Sequence, residues 1–152
     1  MDNNELKKII YLRCCELVDE KIATLNNVIE EAQSSAVSEG KSTAGDKYDT
    51  ARAMSHITRD MYARQLEESL KLRKILSQID PNKNSETVQS GSLVTTTSVT
   101  YFIAVSLGII DVDTKKVAVI SPVSPLGNQL LDKKPGDNFV FNQQEITIES
   151  IL

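Results

Sequence analysis

The first eighty residues carry apolar side chains at three- and four-residue steps. In residues 6–36 no Pro or Gly interrupts this stripe, which contains Leu6, Ile10, Cys14, Leu17, Ile22, Leu25, Ile29, Ala32 and Ala36. The spacing predicts an amphipathic helix with a narrow apolar stripe. About 33 residues would give a helix roughly 50 Å long, far above the mean length. Such a helix needs a partner along most of its length.

A second segment, residues 46–79, supplies that partner. It also lacks Pro and Gly, and its apolar positions are Ala51, Met54, Ile57, Met61, Leu66, Leu70, Leu72, Ile75, Leu76 and Ile79. Small and polar residues separate the two segments, and Gly40 and Gly45 permit a sharp reversal there. The pattern predicts a long antiparallel coiled-coil hairpin over residues 1–80, with its tip at about residues 38–47.

In the second half of the chain the spacing of apolar residues changes from that of helices to that of strands. Pro81 ends the second helix, and residues 81–87 are a predicted linker. Segments rich in β-branched and aromatic residues predict strands over residues 93–99, 101–107, 116–120, 138–141 and 145–151. Between them, Ser124 as N-cap and Pro125 at the first helical position predict a short helix over 124–131. The predicted fold is α+β, with a small antiparallel β domain over residues 88–152.

Composition and charge narrow the function classes. The chain is 40% apolar and 25% charged, as expected of a folded protein, and its net charge of −4 argues against a broad basic face for duplex nucleic acid. No apolar run is long enough to cross a bilayer, and the N-terminus does not have the pattern of a secretory signal. A cytoplasmic location and no membrane partner are therefore expected. The adjacent Cys14 and Cys15 fit neither a disulfide nor a metal clamp.

Two motifs resemble the Gre family of bacterial transcript-cleavage factors. The first spans residues 124–137, and its matching positions are Ser124, Pro125, Leu131, Lys133, Gly136 and Asp137, with Asp132 where the family prefers Gly. The second spans the predicted hairpin tip, and its matching positions are Gly40, Tyr48, Ala51 and Arg52. The two motifs occur in the family's order, and the resemblance, a long helical hairpin followed by a small β domain, covers nearly the whole chain.

The resemblance implies a fold and a mode of action. It implies that the C-terminal domain is FKBP-like and docks at the rim of the RNA polymerase secondary channel through residues 124–127 (Ser124, Pro125, Leu126 and Gly127). The hairpin tip, with Gly40, Lys41, Tyr48 and Arg52, would then enter the channel. In the family, two tip carboxylates help to hold a second Mg²⁺, so that the polymerase cleaves its own backtracked RNA. Nucleic acid would be contacted only through the polymerase complex.

The tip departs from the family at the acidic pair. An ungapped alignment on Gly40 and Tyr48 puts Lys41 and Ala44 at those two positions, and neither side chain can ligate Mg²⁺. Glu39 and Asp46 are the remaining candidate carboxylates, although Asp46 could instead cap the second helix and Glu39 could be solvated. The factor is thus expected either to stimulate cleavage through this pair or to modulate the polymerase without cleavage.

Several expected absences and one alternative complete the functional prediction. The chain is not expected to be an enzyme in its own right, to bind a metal by itself or to take a small-molecule substrate. Its C-terminal aromatic residues (Tyr101, Phe102, Phe139 and Phe141) have strand spacing, which is typical of core residues and not of a prolyl isomerase pocket.

The alternative function is a coiled-coil protein–protein adaptor unrelated to transcription. Such an adaptor would bind partners along the helices and tolerate changes at the tip.

Overall fold

The mixed α+β architecture is confirmed. The computed structural model describes residues 2–39 and 45–152, with side chains described up to Ser34 and from Ala53 onward. Two long helices, α1 (Asn3–Glu39) and α2 (Gly45–Ser77), precede the sheet. The remaining elements are β1 (Leu93–Thr96), β2 (Thr100–Ile103), β3 (Gly108–Val112), β4 (Lys115–Ile120), α3 (Pro125–Leu130), β5 (Asn138–Phe141) and β6 (Gln144–Ile151). No helix within the described residues is long and apolar enough to span a bilayer.

The ends of the long helices follow from local chemistry. At the start of α1, the carboxylate of Asp2 accepts a 2.7 Å hydrogen bond from the amide of Glu5, which satisfies one of the free amides at the helix N-terminus. At the end of α2, the amides of Gln78 and Ile79 bond three residues back, which tightens the last turn before Pro81. Both helices therefore begin and end within a few residues of their predicted bounds.

The predicted apolar stripe is correct for α1 and wrong for much of α2. In α1, the predicted positions Leu6, Ile10, Cys14 and Leu25 are buried, together with Val18. In α2, five predicted stripe residues are exposed instead: Met54, Ile57, Met61, Leu70 and Ile75. The covered positions that recur every seven residues are Ser55, Tyr62, Ser69 and Leu76, and of these only Leu76 belongs to the predicted stripe. Because Met54 and Met61 each precede a covered position by one residue, they point about 100° away from it.

The chain divides into two compact units. Unit 1 contains Met1–Cys15 and Lys74–Leu152, and unit 2 contains Glu16–Arg73. In unit 1 the Lys7 ammonium donates a 2.8 Å hydrogen bond to the carbonyl of Lys83, and the Tyr11 hydroxyl donates one of 2.8 Å to the carbonyl of Leu76. In unit 2 the Arg73 guanidinium pairs with Asp19 at 2.8 Å. The coiled-coil geometry of the hairpin stays a prediction.

The six strands form a mostly antiparallel sheet in the order β3-β4-β2-β1-β6-β5. One pair differs from the predicted all-antiparallel arrangement, since β2 and β4 are parallel, with Thr100 opposite Val117. Strand β3 is an addition to the predicted strands; the turn between β3 and β4 lies at Asp113, where φ is +54°. The chain passes from β2 to the edge strand β3 and then returns through β4, which therefore lies parallel to β2.

One face of the sheet packs against α3. The apolar cluster there contains Val88, Val94, Tyr101, Ile103, Leu130, Phe139, Ile146 and Ile148. Tyr101 and Phe139 are buried, as is Phe102, which confirms their prediction as core residues. The FKBP-like relationship of this domain stays a prediction.

Candidate functional site

The segment that precedes α3 is a tightly bonded turn, which we call the docking turn (residues 121–127). The hydroxyl of Ser124 donates a 2.6 Å hydrogen bond to the carbonyl of Ser121 and accepts one of 3.1 Å from the amide of Gly127. The hydroxyl of Ser121 accepts a 3.2 Å hydrogen bond from the amide of Val123. Ser124 is therefore the N-cap predicted from the sequence, and Pro125 follows it at the start of the helix.

Gly127 closes the docking turn because no side chain fits there. A Cβ atom at this position would overlap the carbonyl oxygen of Ser121 and lie 2.9 Å from the hydroxyl oxygen of Ser124. The backbone of α3 thus packs directly on the turn that precedes it. Of the four predicted polymerase-binding residues, Ser124 and Gly127 build this turn, and their structural role is sufficient to explain their identity.

The exposed surface of the docking turn is formed by other residues. Val123 is 89% exposed, and Pro125 beside it is also exposed. Leu126, one of the four predicted polymerase-binding residues, is half-buried against the sheet core. Sequence reasoning missed Val123, although a signal was present: a β-branched apolar residue lies between two Ser-Pro pairs, where nothing in the local pattern calls for an apolar side chain. The turn holds this side chain in solvent on a rigid backbone.

The rest of the C-terminal motif closes the domain. Asp132, at the position where the Gre family prefers Gly, has a φ of +66°, a left-handed conformation that favours Gly. The carboxylate of Asp137 accepts a 2.8 Å hydrogen bond from the amide of Lys134, across a turn in which Gly136 has a φ of +92°. The carbonyl of Lys133 accepts a 2.9 Å bond from the amide of Val88. These contacts join the segment after the linker to the turn before β5.

The predicted tip residues lie largely outside the described part of the chain. Gly40 and Lys41 are not among the described residues, nor is Ala44. Glu39 ends α1 and Asp46 lies in the first turn of α2, but their side chains are outside the description. The same holds for the side chains of Tyr48 and Arg52 in α2. The predicted role of Glu39 and Asp46 in holding a Mg²⁺ ion therefore stays a prediction.

Unit 2 carries an exposed apolar surface that the sequence analysis assigned to the helix seam. We call Met54, Ile57 and Met61 the α2 stripe; they are 57%, 60% and 44% exposed. Their spacing of three and four residues puts them on one face of the helix. Arg64 follows on the same face, three residues beyond Met61. The stripe is the largest departure from the predicted packing and a second candidate interaction surface.

Comparisons with known proteins do not add a family to this description. No protein-family model matches the chain, and no curated protein matches its sequence significantly. Within the described residues, no group of three or more His, Cys, Asp or Glu side chains is placed to hold a metal ion. The functional argument therefore rests on the two surfaces described above and on the resemblance of the sequence motifs.

Proposed function

We propose that the chain is a Gre-like transcription elongation factor that binds RNA polymerase, inserts residues 38–47 into the secondary channel and modulates paused or backtracked complexes. The proposal combines two supports. The order of the elements, with two long helices before a small α+β sheet domain, is the order that the sequence motifs imply. The second support is the docking turn, which offers a protein partner an exposed apolar side chain on a rigid backbone.

The docking turn is the observation that carries the proposal. Residues 124–127 are those that the resemblance assigns to the polymerase contact, and Val123 is the apolar residue that the turn exposes beside them. A side chain held on a fixed turn loses little conformational entropy when it is buried in an interface, so it is suited to act as an anchor. Val123, Pro125 and the exposed part of Leu126 are the proposed polymerase-binding surface.

The proposed action does not depend on a metal held by this chain. Lys41 and Ala44 replace the acidic pair that the family uses, so the proposed function is occupation of the channel, and cleavage is a separate question. The cleavage question is answered on a stalled, backtracked complex with wild-type protein and a Glu39→Ala/Asp46→Ala double variant. An unchanged cleavage rate in the double variant would exclude these two carboxylates from the chemistry.

The binding experiment uses purified core RNA polymerase and the full chain. Val123→Ser should weaken binding by about tenfold, the effect of removing an apolar anchor from an interface. Val140→Ser is the matched control, because Val140 is also a valine, 62% exposed, on the edge strand β5. Equal affinities of both variants and the wild type would exclude the docking turn as the contact, and no binding of the wild type would refute the proposal as a whole.

The α2 stripe favours the alternative function, a protein–protein adaptor, because exposed apolar residues along a helix can bind many kinds of protein. The two functions differ in what they require of residues 39–48. Replacement of these residues by a neutral loop of equal length should abolish the effect of a channel-inserting factor on paused complexes. An adaptor that binds along the helix would retain its partner in the same variant.

A further inference from the structure

Strand β5 is one of the two outer strands of the sheet, so within the described residues one side of its backbone has no neighbouring strand. The β5–β6 hairpin closes through a two-residue turn, Asn142 and Gln143, in which both residues have positive φ and which Phe141 and Gln144 flank as a pair. The pair that flanks such a turn exchanges both backbone hydrogen bonds, and bonded and non-bonded pairs then alternate along the hairpin. The amide and carbonyl of Val140 therefore point away from β6, towards the free edge.

The backbone of Thr147 supports this alternation. Thr147 is the β6 partner of Asn138, two residues before Val140. Its amide donates a 3.1 Å hydrogen bond to the hydroxyl of Thr97, and its carbonyl accepts one of 3.0 Å from the amide of Thr97, on the side of β6 away from β5. Asn138 and Thr147 are thus a non-bonded pair, and the backbone groups of both Asn138 and Val140 face the free edge.

The sequence of this edge reads the same in both directions. Residues 138–142 are Asn-Phe-Val-Phe-Asn, and they include none of the charged residues or prolines that protect edge strands from pairing. An antiparallel pair of two copies of this segment, centred on Val140, places valine opposite valine, phenylalanine opposite phenylalanine and asparagine opposite asparagine. Aromatic cross-strand pairs of this kind stabilise antiparallel sheets.

Such a pair would also extend the apolar face of the sheet. Phe139 belongs to the apolar cluster that packs against α3, and Phe141 is half-buried at the border of that cluster. In the pair, Phe139 of one copy lies opposite Phe141 of the second copy, so the apolar face continues across the two-fold axis. On the other face Val140, which is 62% exposed, meets the same residue of the second copy.

The opposite edge of the sheet, β3, lacks this self-complementarity. Its sequence is Gly-Ile-Ile-Asp-Val. Antiparallel pairing of two copies about the central Ile110 would place the apolar Ile109 opposite the charged Asp111, which forms an ion pair with Lys116 at 3.1 Å. The two edges of one sheet therefore differ in their suitability for pairing with themselves.

We propose that β5 is a self-association surface, at which two copies of the chain pair antiparallel through residues 138–142 with a two-fold axis at Val140. The occupant of the edge is a second copy, because a two-fold interface requires a segment complementary to itself. One pair of short strands is smaller than the about 800 Å² per partner of a standard interface, so the dimer is weak and concentration-dependent. The inference does not rest on the proposed function, and the polymerase-binding comparison is made at low concentration, where the chain is a monomer.

The first test uses the geometry of the two-fold axis. Opposite residues of a hydrogen-bonded antiparallel pair have Cα atoms about 5.5 Å apart, within the span of a disulfide, so Val140→Cys should give a covalent dimer under mild oxidation. Asn138→Cys is the matched control, exposed on the same strand and the same face. In the proposed register the two copies of residue 138 are four residues apart, about 13 Å, which is beyond the reach of a disulfide. The wild type in the same oxidant controls for the buried Cys14 and Cys15.

The second test is sedimentation velocity of the full chain, from about 1 µM to about 1 mM. The wild type should move towards a dimer as its concentration rises. Val140→Lys should raise the dissociation constant of that dimer at least tenfold, because it places two like charges opposite each other. Ile109→Lys is the control on β3, where Ile109 is 70% exposed, and it should dimerise like the wild type. Circular dichroism checks that each variant keeps its fold.

Three results would overturn the inference: a wild type that stays monomeric over the whole range, equal cross-linking of Val140→Cys and Asn138→Cys, or equal weakening by Val140→Lys and Ile109→Lys. Oligomers that grow beyond the dimer would also overturn it, because a two-fold pair uses up the edge and closes. Each of these results leaves the proposed polymerase contact untouched, since the docking turn and β5 are tested by different variants.

Discussion

Substitution of Gly127 by Ala tests whether helix propensity or packing determines stability at this position, because the two predict changes of opposite sign. Gly127 lies inside α3, where helix propensity alone favours Ala by about 1 kcal/mol. The structure predicts the opposite sign, because the added Cβ would overlap the carbonyl oxygen of Ser121 and approach the Cα of Pro122 to 3.0 Å. The backbone of the docking turn would have to move to accommodate it.

The magnitude follows from three contributions. Overpacking against backbone atoms costs about 1–3 kcal/mol. Displacement of Ser124, whose hydroxyl bonds both Ser121 and Gly127, weakens the helix cap by about 1 kcal/mol. The gain in helix propensity offsets about 1 kcal/mol of this. The free energy of unfolding should therefore fall by roughly 1–3 kcal/mol.

The assay is urea unfolding of the full chain followed by far-ultraviolet circular dichroism. Gly136→Ala is the control for backbone conformation without crowding, since its φ is +92° and the space around its Cβ position is open. That control should lose about 1 kcal/mol from the left-handed conformation alone. A Gly127→Ala protein as stable as the wild type, or more stable, would refute the packing described for the docking turn, and with it the rigid presentation of Val123.

Three further predictions test the structure elsewhere. Asp132→Gly should raise the free energy of unfolding by about 0.5–1 kcal/mol in the same urea assay, because the φ of +66° favours Gly; a loss of stability would contradict this. Burial lowers the pKa of Lys7 from 10.5, and the nearby Asp80 opposes this with a smaller effect. Just below pH 10.5 the unfolded chain therefore binds more protons than the folded chain, so the free energy of unfolding should rise with pH in this window. Lys7→Met should remove that rise. Burial is the larger cause, and the neighbouring Cys15 the smaller, of a rise in the pKa of Cys14 to about 12. Thiol reagents should therefore modify Cys14 only after denaturation, and peptide mapping of the labelled chain tests this.

The bounds of the helices and of the later strands could be predicted because local signals set them, whereas the predicted strands 93–99 and 101–107 end earlier, at Thr96 and Ile103. Pro81 and the polar residues after it end the second helical segment, and the Ser124-Pro125 pair starts α3. Local signals also hid strand β3. Asp111 and Asp113 are turn formers, yet the strand continues past Asp111 to Val112. Its pairing with β4, like the parallel pairing of β2 and β4, is set by contacts distant in sequence, which local periodicity does not report.

The face of α2 that packs inward could be predicted from apolar periodicity only near the end of the helix, where Leu76 is buried. Apolar residues occur on more than one face of the helix, and earlier in α2 the covered face carries Ser55, Tyr62 and Ser69. Ser69 is buried without an unpaired hydroxyl because it donates a 3.0 Å hydrogen bond to the carbonyl of Gln65, one turn earlier. A small, internally bonded serine permits close approach of a neighbouring element where a larger side chain would not fit. A pattern that counts only hydrophobicity assigns such a position to solvent.

The motif matches and the exposed residues carry different kinds of information about function. Gly136 and Asp137 form the turn before β5, and Ser124 and Gly127 form the docking turn, so folding alone is sufficient reason for these residues. A match at these positions therefore supports a shared domain fold more strongly than a shared partner. Val123 has no such structural reason, because its side chain is 89% exposed. Because Val123 lies outside both motifs, a loss of polymerase affinity on its substitution would support binding independently of the resemblance from which the proposal began.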